Sequence, residues 1–298
     1  MTRVLRTVRL WGETVKFSHS VFALPFSLIA AFLAGRAIPD RGVPYIGQVL
    51  LVVVCMVAAR SVAMTFNRIA DARIDSMNPR TASRPIPSGR LSLSAAWLMF
   101  ALFAIVFAAA CGAIHVIYSN PWPLRLCVPI LIYLCGYSYA KRFTRWSHFY
   151  LGSTLALAPL CAWIVINPAS VGWPVVVMML TVVCWVSGFD IIYACQDIDV
   201  DREQGLYSLP ARLSPAAALW ITRTCHVLTV VGLVVLGLLT GLGWLYWAGV
   251  VLAAGLLLIE NSLVRVDDYR RVNAAFFTAN GLLSVMLSVA AITDILWR

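Results

Sequence analysis

The sequence predicts an all-α, polytopic membrane bundle, on three observations. Of its 298 residues 61% are hydrophobic and only 12% are charged, where a soluble domain carries about a quarter charged residues. The mean hydropathy is +0.85. Nine apolar runs recur along the chain, each near the ~20 residues that cross a bilayer core as a helix.

Those runs lie at about 18–37, 44–66, 93–115, 122–140, 149–167, 172–192, 215–239, 243–262 and 274–296. The basic, polar start from Met1 to Lys16 precedes an apolar segment without an Ala-x-Ala-like cleavage signal, so the first span is expected to stay. The connections after spans one, three, five and seven are short, and those after spans two, four, six and eight carry most of the charge. Counted by side, 18 Lys and Arg fall with the N-terminus and the even-numbered connections and 4 fall opposite, with Arg60 inside a span. The positive-inside rule therefore expects a cytoplasmic N-terminus. The net charge of +10 is thus accounted for by topology and anionic headgroups. No basic run interleaved with aromatics reads as a nucleic-acid surface. The eight cysteines sit mostly within apolar runs without a Cys-x-x-Cys pair, so they are expected to pack as small hydrophobes.

Span two leads into Asn67-Arg-Ile-Ala-Asp71-Ala-Arg-Ile-Asp75. Spacing by four puts Asn67, Asp71 and Asp75 on one helical face. Carboxylates aligned this way repel or share a cation, and Mg²⁺ is the usual hard divalent ion. Span six leads into a second row, Tyr193, Asp197 and Asp201, with Asp190 upstream. Acids this close to hydrocarbon mark functional sites. Asp199 points off that face and is expected to be solvated.

The two rows head a weak internal repeat. Each is followed by a Pro-containing loop and an Arg-Leu-Ser: Arg90-Leu-Ser92 in the first unit, Arg212-Leu-Ser214 in the second. Ser92 or Ser94, and Ser214 ahead of Pro215, suit helix N-termini. Membrane proteins with pseudo-symmetric halves often bind ligands where the repeats meet.

Acidic rows that hold Mg²⁺ among basic residues suit a diphosphate, which Arg grips in a bidentate way. Arg68, Lys141, Arg142 and Arg202 are the candidate diphosphate ligands; Arg80, Arg84 and the distal Arg265, Arg270 and Arg271 read equally as topology. Arg60 shares the face of Asn67 two turns deeper and is a candidate for binding the carboxylate of an aromatic acid or a phosphate. His19, at the start of span one, is a second candidate to line the acceptor cavity. His115, His148 and His226 are scattered without metal-ligand spacing and are expected to be structural.

Over nearly its whole length the chain resembles the UbiA superfamily of intramembrane aromatic prenyltransferases. The resemblance rests on Asn67-xxx-Asp71-xxx-Asp75 with Ser83-Arg-Pro-Ile-Pro-Ser-Gly-Arg90, on Asp190-xx-Tyr193-xxx-Asp197-xxx-Asp201, on Tyr139-Ala-Lys141-Arg142, and on Lys16-Phe-Ser-His19 through Pro25-Phe. It implies one domain over 1–298, nine helices around a central cavity, with motifs at 67–75 and 190–201. Tyr207 departs from the pattern by standing where many members carry a lysine. The runs Gly188–Asp197 and Gly205–Arg212 are similar to a subgroup that includes the futalosine-route menaquinone prenyltransferase.

The resemblance implies transfer of a polyprenyl group from polyprenyl diphosphate to a ring carbon of a small aromatic acid in quinone biosynthesis. The expected acceptor is 1,4-dihydroxy-6-naphthoate, with 4-hydroxybenzoate as the alternative. Asn67, Asp71, Asp75, Asp197 and Asp201 would hold Mg²⁺, Asp190 would be the base, and Tyr193 would orient the diphosphate or shield the allylic cation. The implied setting is a bacterial-type inner membrane with the active site cytoplasmic, the lipid bilayer being the one macroscopic partner and no protein partner being implied. An ion-coupled transporter would place its acids near mid-membrane on broken helices, whereas both rows here lie at charge-flanked span ends. A phospholipid-synthesis transferase also uses Asp rows and metal, but its Asp-Gly…Ala-Arg…Gly…Asp…Asp pattern is absent.

Overall fold

The computed structural model describes residues 10–15, 20–39, 41–264 and 275–298, and among them every regular element is helical. We number the helices α1 (Ser20–Arg36), α2 (Ile46–Ala70), α3 (Ala72–Met77), α4 (Leu93–Tyr118), α5 (Trp122–Ala140), α6 (Ser147–Ile166), α7 (Trp173–Ala194), α8 (Ile198–Glu203), α9 (Leu209–Arg212), α10 (Pro215–Thr240), α11 (Trp244–Leu263) and α12 (Asn280–Trp297). Eight stretches of the described residues are long and apolar enough to cross a membrane, and the shorter apolar α1 matches the first of the nine expected spans. The described residues of these helices leave Leu98, Ile105, Ile132, Val251 and Leu258 well exposed, as lipid-facing surfaces require. Tryptophans 97, 122, 146, 173, 220, 244 and 297 are also exposed, the residue type that settles at membrane interfaces.

The chain gathers into two compact units, Met1–Ser20 with Val53–Tyr139, and Val21–Val52 with Ala140–Arg298. In the first, Ala58 of α2 packs with Phe107 and Cys111 of α4 and Cys127 of α5. The eight cysteines are free thiols. In the second, α7 lies against both α6 and α10. Glycines permit that approach: a Cβ on Gly152 would lie 2.6 Å from Ser187 Oγ, and one on Gly188 would lie 2.5 Å from the His226 ring. The core beside them includes Trp185, Ile191, Ile192 and Leu209, all fully buried.

The repeat read from the sequence is visible in the caps. Ser92 Oγ accepts from Ala95 N at the start of α4, and Ser214 Oγ accepts from Ala217 N at the start of α10, both at 3.2 Å. Both serines are extended at the N-cap, the conformation that leaves the hydroxyl facing the free amides.

Candidate active site

Neither acidic row rides on one uninterrupted helix. In the first unit α2 ends at Ala70 and α3 begins at Ala72, with Asp71 between them at φ −95, ψ 6. In the second unit α7 ends at Ala194, a 3₁₀ turn covers Cys195–Asp197, and α8 begins at Ile198 with Asp197 at φ −114, ψ 11. The middle acid of each row thus holds the same bridge-region backbone, a conformation common at active sites. Aspartate suits such a break because its short side chain gains little from helix interiors. Neither carboxylate is spent on a cap. Through the first break Asp71 N still bonds Asn67 O at 2.9 Å and Asp75 N bonds Asp71 O at 2.8 Å. The spacing by four therefore keeps Asn67, Asp71 and Asp75 aligned, as expected, but on a kinked helix.

The two acids of the first row are buried, and one of them is paired with arginine. Asp71 and Asp75 are 2% and 3% exposed. Arg68 Nη1 donates to Asn67 Oδ1 at 3.2 Å, and Asn67 Nδ2 donates to Asp71 Oδ2 at 3.0 Å. Arg68 is itself buried, with Nε directed at Thr14 O. Arg84 Nη1 reaches both Asp75 oxygens, at 2.7 and 2.8 Å. The sequence reads Arg84 equally as a diphosphate ligand and as a topology residue, and a loop arginine nine positions from Asp75 carries no helical spacing that would pair them. Arg60 is half-buried on α2, and Arg73 and Arg80 are exposed.

The second row is more open: Asp190, Tyr193, Asp197 and Asp201 are all half-buried, while Asp199 is exposed as its spacing predicts. Beyond α8 the chain reverses on Gly205 at φ +68, with Gly205 N bonded to Arg202 O and Leu206 N bonded to Asp201 O. That bond pair is a Schellman closure, which needs the left-handed residue glycine supplies. Tyr207 N then donates to Lys141 O at 2.7 Å, which places the loop beside Lys141. Arg202 Nε binds Ala211 O, and Arg212 binds the carbonyls of Gly205 and Leu206 while stacking on Tyr207 at 4.0 Å. Arg142 is exposed and Lys141 half-buried. The Tyr193 ring packs partly on the cluster of Ile192, Cys195, Ile198, Leu219 and Val264. His19, Arg265, Arg270 and Arg271 lie outside the described residues.

Asp190 has a partner the sequence did not suggest. His148 Nδ1 lies 2.6 Å from Asp190 Oδ2. The two residues are 42 positions apart on different helices, so no motif spacing links them. Only the approach of α6 to α7 at Gly152 does.

The donor chemistry fits a hard cation. All candidate ligands offer carboxylate or amide oxygen, and among the described residues no three His, Cys, Asp or Glu side chains converge on a common point. Mg²⁺ is commonly held by one or two carboxylates together with substrate phosphate oxygens rather than by a protein cage. Interrupted span ends, each carrying carboxylates with basic side chains in the same stretch, are what the structure presents in both units of this multi-span membrane protein.

Residues 23–282 match the UbiA prenyltransferase family, and the chain belongs to that family. It is 26% identical over 255 residues to a 4-hydroxybenzoate octaprenyltransferase of Hydrogenovibrio crunogenus, covering 86% of this chain and 87% of that one. It is 28% identical to the Vibrio vulnificus 4-hydroxybenzoate octaprenyltransferase, covering 85% of each chain. A UbiA homolog from Aeropyrum pernix K1, solved in its apo form, superposes with a TM-score of 0.81 at 28% identity, covering 93% of this chain and 98% of that one. A UbiA homolog from Archaeoglobus fulgidus bound to GPP and Mg²⁺ shares the fold with a TM-score of 0.69 at 18% identity, covering 96% of this chain and 99% of that one. Membership in this family leaves the transporter reading without support.

Proposed function

We propose that the protein transfers a polyprenyl group from polyprenyl diphosphate to a ring carbon of 4-hydroxybenzoate. The observation that carries this is the family match, which spans both acidic rows, joined to relatives named for that acceptor. This reverses the order expected from sequence, where 1,4-dihydroxy-6-naphthoate came first. The dihydroxynaphthoate remains a second reading, which rests on the resemblance of the runs Gly188–Asp197 and Gly205–Arg212 to the menaquinone subgroup.

Asn67, Asp71 and Asp75, and Asp197 with Asp201, are the proposed Mg²⁺ ligands. Bound there, Mg²⁺ would supply positive charge against the diphosphate oxygens, as the Archaeoglobus homolog that holds GPP and Mg²⁺ encourages. Arg68, Lys141, Arg142 and Arg202 bind the same diphosphate and stabilise the charge that builds as the allylic C–O bond breaks. Arg84, which sits on Asp75, would be available to a phosphate oxygen if Mg²⁺ were held by that carboxylate. The allylic cation requires a site that excludes water. Tyr193 orients the diphosphate or shields that cation. The acceptor ring forms the new C–C bond, and Asp190 takes the proton that must leave. Arg60 and His19 hold the acceptor carboxylate. The 18-to-4 bias of basic residues supports a cytoplasmic N-terminus, with this chemistry on the same side of a bacterial-type inner membrane.

The test is incubation of membranes holding the protein with labelled polyprenyl diphosphate, Mg²⁺ and a panel of aromatic acids. Labelled prenyl-4-hydroxybenzoate is the expected product. Label on dihydroxynaphthoate alone would move the assignment to the second reading, and label on neither would overturn both.

A further inference from the structure

The hydrogen bonds around His148 decide which protons its ring carries. Leu209 N, the first amide of α9, lies 3.3 Å from His148 Nε2. An amide N–H only donates, so Nε2 presents its lone pair. The ring hydrogen of the neutral imidazole is then on Nδ1, where it donates to Asp190 Oδ2 at 2.6 Å. The histidine is fixed on its other side as well, since Ser187 Oγ donates to the His148 carbonyl at 3.2 Å. Its side chain is 5% exposed, against 22% for Asp190.

We infer that His148 is a positioning residue for Asp190, one that fixes the carboxylate as a proton acceptor. One carboxylate oxygen, Oδ2, is occupied by the imidazole donor. The other, Oδ1, is left for a substrate proton. The same geometry excludes a longer relay. Nδ1 already carries the ring hydrogen and so cannot accept a proton from Asp190, and the Leu209 amide occupies the lone pair on Nε2. Asp190 is therefore the last stop inside the protein, and its proton leaves by the carboxylate's exposed side. The Leu209 amide belongs to the loop that follows the second acidic row, so that loop sets the tautomer on which Asp190 depends. The inference rests on the reading of Asp190 as base.

Two substitutions separate positioning from mere support. The amide nitrogen of His148→Asn falls near Nδ1 and keeps a donor for Asp190, while leaving the Leu209 amide without an acceptor. The amide oxygen of His148→Gln falls near Nε2 and keeps the Leu209 bond, while Asp190 loses its donor. Positioning predicts kcat within about threefold of wild type for His148→Asn and a fall of about tenfold or more for His148→Gln. KM for the prenyl diphosphate stays within about twofold in both, since neither variant touches a diphosphate ligand. Thermal stability follows the opposite order, because His148→Asn strands a buried N–H. A purely structural histidine would instead make activity follow stability. In an Asp190→Asn background, His148→Gln should cost nothing further. An Asp190→Asn enzyme at wild-type rate would overturn the base and this inference together. A slow Asp190→Asn enzyme with a wild-type His148→Gln kcat, or with losses that multiply in the double variant, would overturn the positioning role alone.

Discussion

The two acidic rows share a spacing and a backbone break yet differ in how their charge is compensated. In the first, Asp71 and Asp75 are almost wholly buried and already engaged, one by Asn67 and one by Arg84. In the second, Asp197 and Asp201 are half-buried, on a short helix closed by Gly205. A buried carboxylate must be paired or be strongly penalised, so the first row carries its own counter-ion in Arg84. Like spacing along a chain therefore does not mean like electrostatics.

The widest effect tests what the rows have in common. Asp75→Ala and Asp201→Ala should each lower turnover about a thousandfold, corresponding to about 4 kcal/mol of transition-state stabilisation. Both proteins should still insert and unfold cooperatively. Prenyl transfer at saturating Mg²⁺ is the measurement, and full activity in either variant would remove that row from the metal site.

The next separates the rows. Arg84→Ala leaves Asp75 without its partner and should destabilise the protein by roughly 1–3 kcal/mol, less than the 3–5 of a sealed pair because Arg84 is 20% exposed. Millimolar Mg²⁺ should recover more of the Tm in this variant than it adds to wild type, since the ion supplies the missing charge. Equal Mg²⁺ shifts in the two proteins would show that Arg84 and the cation do not share Asp75. Smaller again are the two caps: Ser92→Ala and Ser214→Ala should each cost about 1 kcal/mol by thermal or denaturant unfolding in detergent. Similar losses would extend the likeness of the repeats from geometry to energetics. The least effect belongs to the Arg90–Glu13 pair, which closes at 2.6 Å with side chains 48% and 34% exposed. Glu13→Gln should change stability by less than about 1 kcal/mol, in contrast to the buried pair one loop away.

Much of this was legible without coordinates because the bilayer is a demanding solvent. A hydrocarbon core accepts only long apolar helices, so composition and run length found the spans. Their ends were less accurate where polarity misleads: the second run reads as closing at 66, yet α2 continues to Ala70. Asn67 and Arg68 look like span-ending residues, but Arg68 is buried against Thr14 O and Asn67 Oδ1. The paired Asp rows and serine caps were legible too, since spacing by four and capping are local properties of a helix. The kinks at Asp71 and Asp197 were not, because a helix break between two helix-compatible stretches leaves only a weak propensity signal.

The sequence alone determined the class of protein, the spans, and the residue types able to meet a cation and a diphosphate. These follow from periodicity and hydropathy, which are properties of neighbours along the chain. Tertiary structure decided which charges are paired. It joined Arg84 to Asp75 across a loop and His148 to Asp190 across 42 residues, through approaches of a few ångströms made at glycines and turns. Hydrogen bonds and ion pairs fall off over such distances, so partners remote in sequence become readable only when the fold has set them side by side.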